Sequence, residues 1–438
     1  MVTSIKTTTK PATYYILLII AFIGFYGSLL IIFARDTTLA RGGVLPLSNA
    51  LTYMALLLPV GCAFYVDPMF RSWLTSPWGI CYILAMIYYA ILGILQEFDA
   101  LFFASDLYLV IALLTGMALF RLAMRLPNPE FHFSVPALVS TFILHYAYLY
   151  AVPVSEVFES ARLLTQNNIG YVYSAVLLPL TGLGLGTLAR KNLVWFGVFL
   201  LSIVIHVYNG VLVGSTRSIA LSLATVLLFS TVGALYKIHQ GVITKAKSVY
   251  GKSIILAVIC SLGILLAILS GNLFATSSTI AARQNDDTGA LRIIEKDSAF
   301  AELSDFQYYF GGGLGHTFQS TQGYESSALH ISIYTFWLKF GGIVFWPIAI
   351  FLYIVMPLTF FIAWLKPDYF DSKLRSAILV VLPGLFGWVF LLSISGGYSE
   401  HSFLGAGFSL GVFLHVKQQG LYPLLPTSRI KTFENSAQ

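Results

Sequence analysis

The chain has 438 residues, of which 57% are hydrophobic, 15% aromatic and only 10% charged, and its net charge is +6. Soluble domains carry about 25% charged residues, so this composition excludes an ordinary soluble enzyme and favours a protein that faces lipid. The lysines and arginines lie in short loops rather than in a basic stripe, and no nucleic-acid partner is therefore expected.

Apolar segments long enough to cross a bilayer recur along the chain. A spanning helix needs about 20 apolar residues, and the last of the candidate segments is short, so that a total of eleven stays open beside twelve. The fold class is predicted to be an all-α integral membrane protein with about 12 transmembrane helices. The predicted spans lie near 13–33, 45–66, 79–96, 102–121, 135–153, 171–188, 194–213, 218–236, 253–274, 341–364, 376–395 and 403–416.

The distribution of charge predicts the orientation of these spans. With the N-terminus in the cytoplasm and twelve alternating spans, 17 of the 25 basic residues fall on the cytoplasmic side and 14 of the 19 acidic residues fall outside. Positively charged residues are retained in the cytoplasm during insertion. We therefore expect both termini to be cytoplasmic, and the lysine-rich stretch from Lys237 to Lys252 is the strongest single indication.

This orientation divides the chain into three parts. Residues 1–274 hold nine transmembrane helices, residues 275–340 form one large loop on the outer side, and residues 341–438 hold the C-terminal transmembrane helices and a cytoplasmic tail. Long loops in compact proteins are usually functional or disordered. The aromatic residues and glycines of this loop favour a folded segment with short helices.

Arginines on the predicted outer side are candidates for binding an anionic group. Arg217 follows a Gly-Ser-Thr turn at the outer start of the eighth span, where a guanidinium beside a helix N-terminus suits a phosphate or pyrophosphate. The alternative is an arginine that reaches lipid headgroups. Arg283 and Arg292 flank an Asp-Asp-Thr-Gly turn, and their alternative is a solvated loop with salt bridges.

The sequence YYFGGGLGHTF at residues 308–318 strongly indicates a tight turn. Its glycines could bring backbone N–H groups close to a phosphate, although the Lys-Ser/Thr pair of a nucleotide-binding P-loop does not follow.

Three titratable side chains of the outer loop could deprotonate a hydroxyl group: His316, Glu325 and His330. His330 begins an apolar, helix-like segment, where a hydrogen-bonded structural histidine is the alternative. The sequence contains no metal-ligand motif and no nucleotide-binding motif. Neither a metal nor another cofactor is therefore expected.

The order of these features resembles the O-antigen polymerase and O-antigen ligase superfamily of bacterial envelopes. The GSTRS segment at 214–218 is similar to the first arginine motif of that family, and GGGLG-HTF followed by SALHISIYTFWLKFGGI resembles its glycine and histidine segment. Two positions depart from the pattern. Ile331 stands where the family usually has asparagine, and Lys339 stands where an acidic residue is common.

The resemblance implies a metal-independent, inverting, membrane-embedded glycosyltransferase of the bacterial inner membrane with its active site on the periplasmic side. The substrates would be undecaprenyl-pyrophosphate-linked glycans in the surrounding membrane lipid, and the implied partners are a chain-length regulator and a flippase. The implied site residues are Arg217, Arg283 and Arg292 for the pyrophosphate, His330, Glu325 and His316 for the acceptor proton, and Tyr308, Tyr309, Tyr324 and Trp337 for the glycan.

Three functions fit this sequence. A polymerase would join lipid-linked repeat units into O-antigen or a related surface polysaccharide. A ligase would transfer the polymer to lipid A core or to a protein. A transporter or flippase of lipid-linked oligosaccharides would need charged groups in the middle of several spans, and the spans here are poor in them. We expect the polymerase.

The predicted topology can be tested with reporter fusions. Fusions after residues 245 and 370 should report a cytoplasmic position, and a fusion near residue 290 should report a periplasmic one, because basic residues are enriched around the first two positions. Paired alkaline phosphatase and green fluorescent protein fusions measure both sides. A cytoplasmic signal at residue 290 would exclude the predicted periplasmic site.

Overall fold

The computed structural model describes residues 12–40, 48–96, 99–125, 194, 197, 288–320, 323, 325–329, 331–365 and 400–418. These residues are mostly helical. In chain order their elements are α1 (Ala12–Ala40), α2 (Ser48–Val66), α3 (Pro68–Leu74), α4 (Pro77–Leu95), α5 (Ala100–Arg125), α6 (Thr288–Ala301), α7 (Asp305–Phe310), β1 (Phe318–Gln319), β2 (Glu325–Ser326), α8 (Ser332–Ile350), a π-helical turn (Phe351–Val355), α9 (Met356–Leu365) and α10 (Glu400–Gln418).

The structure is that of a helical membrane protein. Within the described residues, three helices are long and apolar enough to cross a bilayer, namely Pro77–Leu95, Phe102–Arg125 and Ile333–Thr359. A fourth candidate results if Tyr53–Val66 and Pro68–Leu74, which meet at 105°, are one broken span. The predicted total of twelve stays a prediction, because these predicted spans lie outside the described residues apart from Val194 and Gly197: 135–153, 171–188, 194–213, 218–236, 253–274 and 376–395.

The short connections between the first helices begin new helices through side-chain caps. The carboxylate of Asp67 accepts a hydrogen bond from the Met69 N–H at 2.9 Å, and the hydroxyl of Ser76 accepts one from the Gly79 N–H at 3.2 Å. Each cap is followed by a proline at the first helical position, where the missing N–H is of no consequence. Asp-Pro and Ser-Pro therefore mark the starts of α3 and α4.

Among the described helices, α5 is the central one, and it packs on α2 and α10. Its crossing with α10 is very close. A Cβ atom at Gly116 would overlap the Leu404 carbonyl oxygen, and one at Gly407 would overlap the Leu113 carbonyl oxygen. Small residues allow such close approach between membrane helices, so these two glycines set the distance between α5 and α10.

A buried ionic cluster joins α2, α3, α5 and α10 at the C-terminal end of α5. Arg121 Nε donates to Asp67 Oδ2 at 2.7 Å, and Arg125 Nη2 donates to Asp67 Oδ1 at 3.1 Å. Arg121 Nη1 also donates to His415 Nδ1 at 2.6 Å. His415 and the cap of α3 are thereby tied to the same helix end.

Helix α8 begins inside the segment that the sequence assigned to the outer loop, and it bends at Gly341. The backbone of Gly341 has φ 72° and ψ 165°, which interrupts the helix at the residue where the predicted span begins. Pro347 and the π-helical turn follow within the continuing helix. The residues from Ser332 to Phe340 therefore form a separate helical segment, and the bend at Gly341 positions the site.

Candidate functional site

The predicted tight turn after α7 is present, and glycine is required in it. Gly311, Gly313 and Gly315 have φ of 87°, 84° and 80°, a region that side-chain-bearing residues rarely adopt. The turn lies against α4, where a Cβ atom at Gly93 would overlap the carbonyl oxygen of Leu314. A side chain at Gly93 or at Gly313 would therefore not fit between α4 and the turn.

The turn completes the hydrogen bonding that the bend in α8 leaves open. Because Gly341 leaves the helical conformation, the carbonyls of residues 338–340 need partners from elsewhere. The N–H of Gly312 donates to the Leu338 carbonyl at 2.8 Å, and the N–H of Gly313 donates to the Lys339 carbonyl at 3.0 Å. The Tyr89 hydroxyl donates to the Phe340 carbonyl at 2.8 Å. The turn is therefore the cap of the first segment of α8.

All six backbone N–H groups from Gly311 to His316 donate to protein acceptors, at distances of 2.6–3.4 Å. The expectation that these glycines bring free N–H groups to a phosphate is therefore not met. The turn uses its donors to hold α4, α5 and α8 together.

Lys339 and Asp106 form a buried ion pair beneath the turn. The side chain of Lys339 is 0% exposed and that of Asp106 is 1% exposed, and Lys339 Nζ lies 2.7 Å from Asp106 Oδ2. Lys339 Nζ also donates to the His316 carbonyl oxygen at 2.6 Å, and the Gly315 N–H donates to Asp106 Oδ2 at 2.6 Å. This ion pair therefore connects α5 and α8 to two adjacent residues of the turn, Gly315 and His316.

His316 is half-buried, and its ring covers Gly312, where an added Cβ atom would overlap it. Burial, together with the nearby charge of Lys339, lowers the pKa of His316 to about 4. His316 therefore lacks the near-neutral pKa of an ordinary histidine, because a second cation beside Lys339 would be poorly solvated. At pH 7 the imidazole is neutral, so it can accept a hydrogen bond, but it is a weak base.

A cavity of about 460 Å³ opens beside the turn, between the α4–α5 connection and the hairpin of β1 and β2. In addition to turn glycines it is lined by six polar side chains, which are Gln96, Asp99, Gln307, His316, Thr317 and Glu325. Ligand sites in proteins have volumes of about 300–1,000 Å³. The structure thus brings together two of the three predicted catalytic residues.

Two hydrogen bonds hold the walls of this cavity. Gln307 Nε2 donates to Gln96 Oε1 at 2.8 Å and joins the start of α7 to the end of α4. The Thr317 hydroxyl donates to Glu325 Oε1 across the hairpin, in which Glu325 lies opposite Gln319. The carboxylate of Glu325 is exposed and oriented by its neighbour.

Aromatic side chains follow directly after Gln307. Tyr309 is 55% exposed and Tyr308 is 37% exposed, so both offer surface to a ligand. Trp337 instead packs against Tyr308 with ring centroids 5.1 Å apart, and its Nε1 donates to the Tyr308 carbonyl at 2.9 Å. Of the predicted glycan-contacting residues, Tyr308 and Tyr309 form the accessible surface, and Trp337 supports it.

Of the predicted pyrophosphate-binding residues, the structure describes Arg292. Arg292 is half-buried on α6 and does not line the cavity. Arg217, Arg283, Tyr324 and His330 lie outside the described residues. Among the residues described, no group of three His, Cys, Asp or Glu side chains could hold a metal ion.

Sequence analysis missed the structural role of Asp106 and Lys339, and it missed the cavity-lining residues Gln96, Asp99 and Gln307. A signal existed for the first pair. Each is a lone charge in an apolar segment, and charges in such segments usually pair with one another. No local pattern marks the other three, because they meet only after α4, α5 and α7 have packed.

No protein-family model, characterised protein or solved structure matches the chain.

The ion pair predicts a non-additive effect on stability. Lys339→Met removes the cation that faces the buried Asp106 carboxylate, which should cost about 3–5 kcal/mol. Lys339→Met combined with Asp106→Asn should recover most of this loss, because the amide oxygen still accepts the Gly315 N–H. Thermal unfolding of the purified protein in detergent measures both variants.

Lys296→Met is the matched control, because Lys296 pairs with Asp297 at the surface of α6. Its effect should stay within about 1 kcal/mol. A Lys339→Met protein as stable as the wild type would contradict the assignment.

Proposed function

We propose that the protein is a glycosyltransferase that polymerises undecaprenyl-pyrophosphate-linked oligosaccharide repeat units into O-antigen or a related surface polysaccharide. The observation that carries this proposal is the polar cavity between the end of α4 and the start of α5. It combines His316 and Glu325 with amide and carboxylate side chains, and exposed aromatic rings follow the lining residue Gln307 on α7. This combination suits a carbohydrate, which presents many hydroxyl groups and apolar ring faces.

The position of the cavity supports a substrate that is anchored in lipid. The cavity lies where α4 ends and α5 begins, and both helices are candidate membrane spans. A glycan attached to a membrane-embedded carrier would reach such a site at the bilayer surface without leaving the membrane.

In the proposed reaction an acceptor hydroxyl attacks the anomeric carbon of the donor glycan. The bond between that carbon and the phosphate oxygen breaks, and the lipid pyrophosphate leaves. Glu325, His316 or His330 would take the hydroxyl proton, with Glu325 preferred over His316 because the latter is a weak base in its buried position. Arg217, with Arg283 or Arg292, would stabilise the charge on the departing pyrophosphate. The leaving group supplies the free energy, so that no nucleotide is required.

The polymerase proposal can be tested with a deletion strain. The surface-glycan ladder on a gel should disappear, and single repeat units should remain attached to lipid A core, because attachment does not need chain extension. Complementation with the wild-type chain should restore the ladder, and Glu325→Gln should not. Full-length polymer accumulating on the lipid carrier would instead identify a ligase, and an unchanged ladder would contradict both functions.

The role of Arg217 can be tested separately. Arg217→Ala should abolish chain extension, and Arg217→Lys should leave only a trace, because lysine keeps the charge but loses the planar fork that bonds two phosphate oxygens. Removing a donor of this kind lowers rates by about 10²–10³-fold.

Both Arg217 variants should reach the membrane at normal levels, and immunoblotting controls for this. An arginine that only contacts lipid headgroups would be replaceable by lysine. Near-normal polymer length in Arg217→Lys would therefore remove Arg217 from the active site.

A further inference from the structure

We infer that the cavity beside the glycine turn is the subsite for the acceptor sugar, and that it selects neutral or amino-bearing sugars against acidic ones. The identification of the ligand as a carbohydrate rests on the proposed function. The selection by charge rests on the cavity itself, whose lining includes the carboxylates of Asp99 and Glu325.

The lining has the hydrogen-bonding capacity that sugar hydroxyls require. Amide side chains donate and accept, carboxylates accept, and a hydroxyl does both. Gln96 and Gln307 supply the amides on one side, and Thr317 and Glu325 supply the hydroxyl and carboxylate on the other. Neighbouring hydroxyls of one sugar ring could therefore bond to both walls.

The cavity is also held in one shape before a ligand binds. Its base is the turn from Gly312 to Gly315, whose backbone donors all have protein acceptors, and the ion pair of Asp106 and Lys339 lies directly beneath. Preorganised walls lower the cost of binding. Sugars gain little affinity per hydroxyl in water, so a rigid site favours their recognition.

Exposed rings on α7, the helix that contributes Gln307 to the lining, would extend this site to more than one sugar. Tyr309 and Phe310 are 55% and 44% exposed, and they follow Gln307 in the same helix. Aromatic rings combine an apolar face with a polar rim, which suits the C–H face of a pyranose. A second sugar unit would rest here while the first occupies the cavity.

The charge of the lining decides which sugars can enter. The Glu325 carboxylate is exposed to the cavity, and Asp99 adds a second carboxylate, one oxygen of which caps α5 by accepting the Phe102 N–H at 3.1 Å. His316 adds no compensating charge at pH 7. A uronic acid would place a third carboxylate among these groups, and like charges brought together at a binding site oppose association.

The test compares two trisaccharides that share one skeleton, trigalacturonate and its fully methyl-esterified form. Dissociation constants are measured by calorimetry or saturation-transfer NMR with the full chain in lipid nanodiscs, at pH 7 and low salt, where screening is weak. The wild type should bind the neutral ester at least about tenfold more tightly than the acid, a difference of about 1.4 kcal/mol.

The double variant Asp99→Asn/Glu325→Gln should reduce this preference to about twofold or less. Both substitutions keep an oxygen for the cap of α5 and for the Thr317 hydroxyl, so the fold should be preserved, and thermal unfolding checks this. Asp297→Asn is the matched control. It removes one charge from the same part of the chain outside the cavity, and it should leave the preference unchanged.

Three results would overturn the inference. If neither trisaccharide binds to the wild type, the cavity is not a carbohydrate site. If the double variant keeps the full preference, or if Asp297→Asn reduces it equally, the cavity carboxylates do not select by charge. If the wild type shows the expected preference but does not restore the glycan ladder of the deletion strain, the polymerase proposal is contradicted. The carbohydrate site would still stand in that case.

Discussion

The arrangement of the site depends on one buried charge, that of Lys339. An ammonium group with 0% exposure is costly unless its donors are satisfied, and the Asp106 carboxylate and the His316 carbonyl satisfy it. These acceptors come from α5 and from the turn after α7. Because loss of either contact would leave the charge unsolvated, the ion pair holds α5, α8 and the turn in one relative position. The cavity is built on that junction.

The ionic cluster of Asp67, Arg121 and Arg125 plays the same role at the other end of α5. Asp106 and Arg121 are 15 residues apart in one helix, which corresponds to about 22 Å along its axis, and each pairs with an element other than α5. Between them the contact with α10 is apolar and close, as at Gly116. Ion pairs therefore hold α5 to its neighbours near both of its ends, and small residues set its distance from α10.

Sequence reasoning succeeded where a local property decides the structure. Apolar length predicted spans near 79–96 and 102–121, where the structure has helices over Pro77–Leu95 and Phe102–Arg125, and the glycine run predicted a tight turn. It failed where distant segments meet. The glycine run could have brought N–H groups close to a phosphate, yet the N–H groups of Gly312 and Gly313 cap α8, since the bend at Gly341 leaves carbonyls without helical partners. Lys339 was noted as a departure from a family pattern, but its partner is 233 residues away in the sequence, and no periodicity links two such positions.

The chemistry proposed for this site separates two charges in space. An inverting transfer brings the acceptor hydroxyl to one side of the anomeric carbon and expels the pyrophosphate on the other. The side of the acceptor hydroxyl needs a base for the proton, and the side of the departing pyrophosphate needs cations. A cavity with Glu325 and a neutral His316 has the character of the first side. The same carboxylates would repel a pyrophosphate, so the arginines would have to act outside this cavity. Arg292 on α6 lies outside the lining of this cavity, so a role for it at the pyrophosphate would require a donor end separate from the acceptor end.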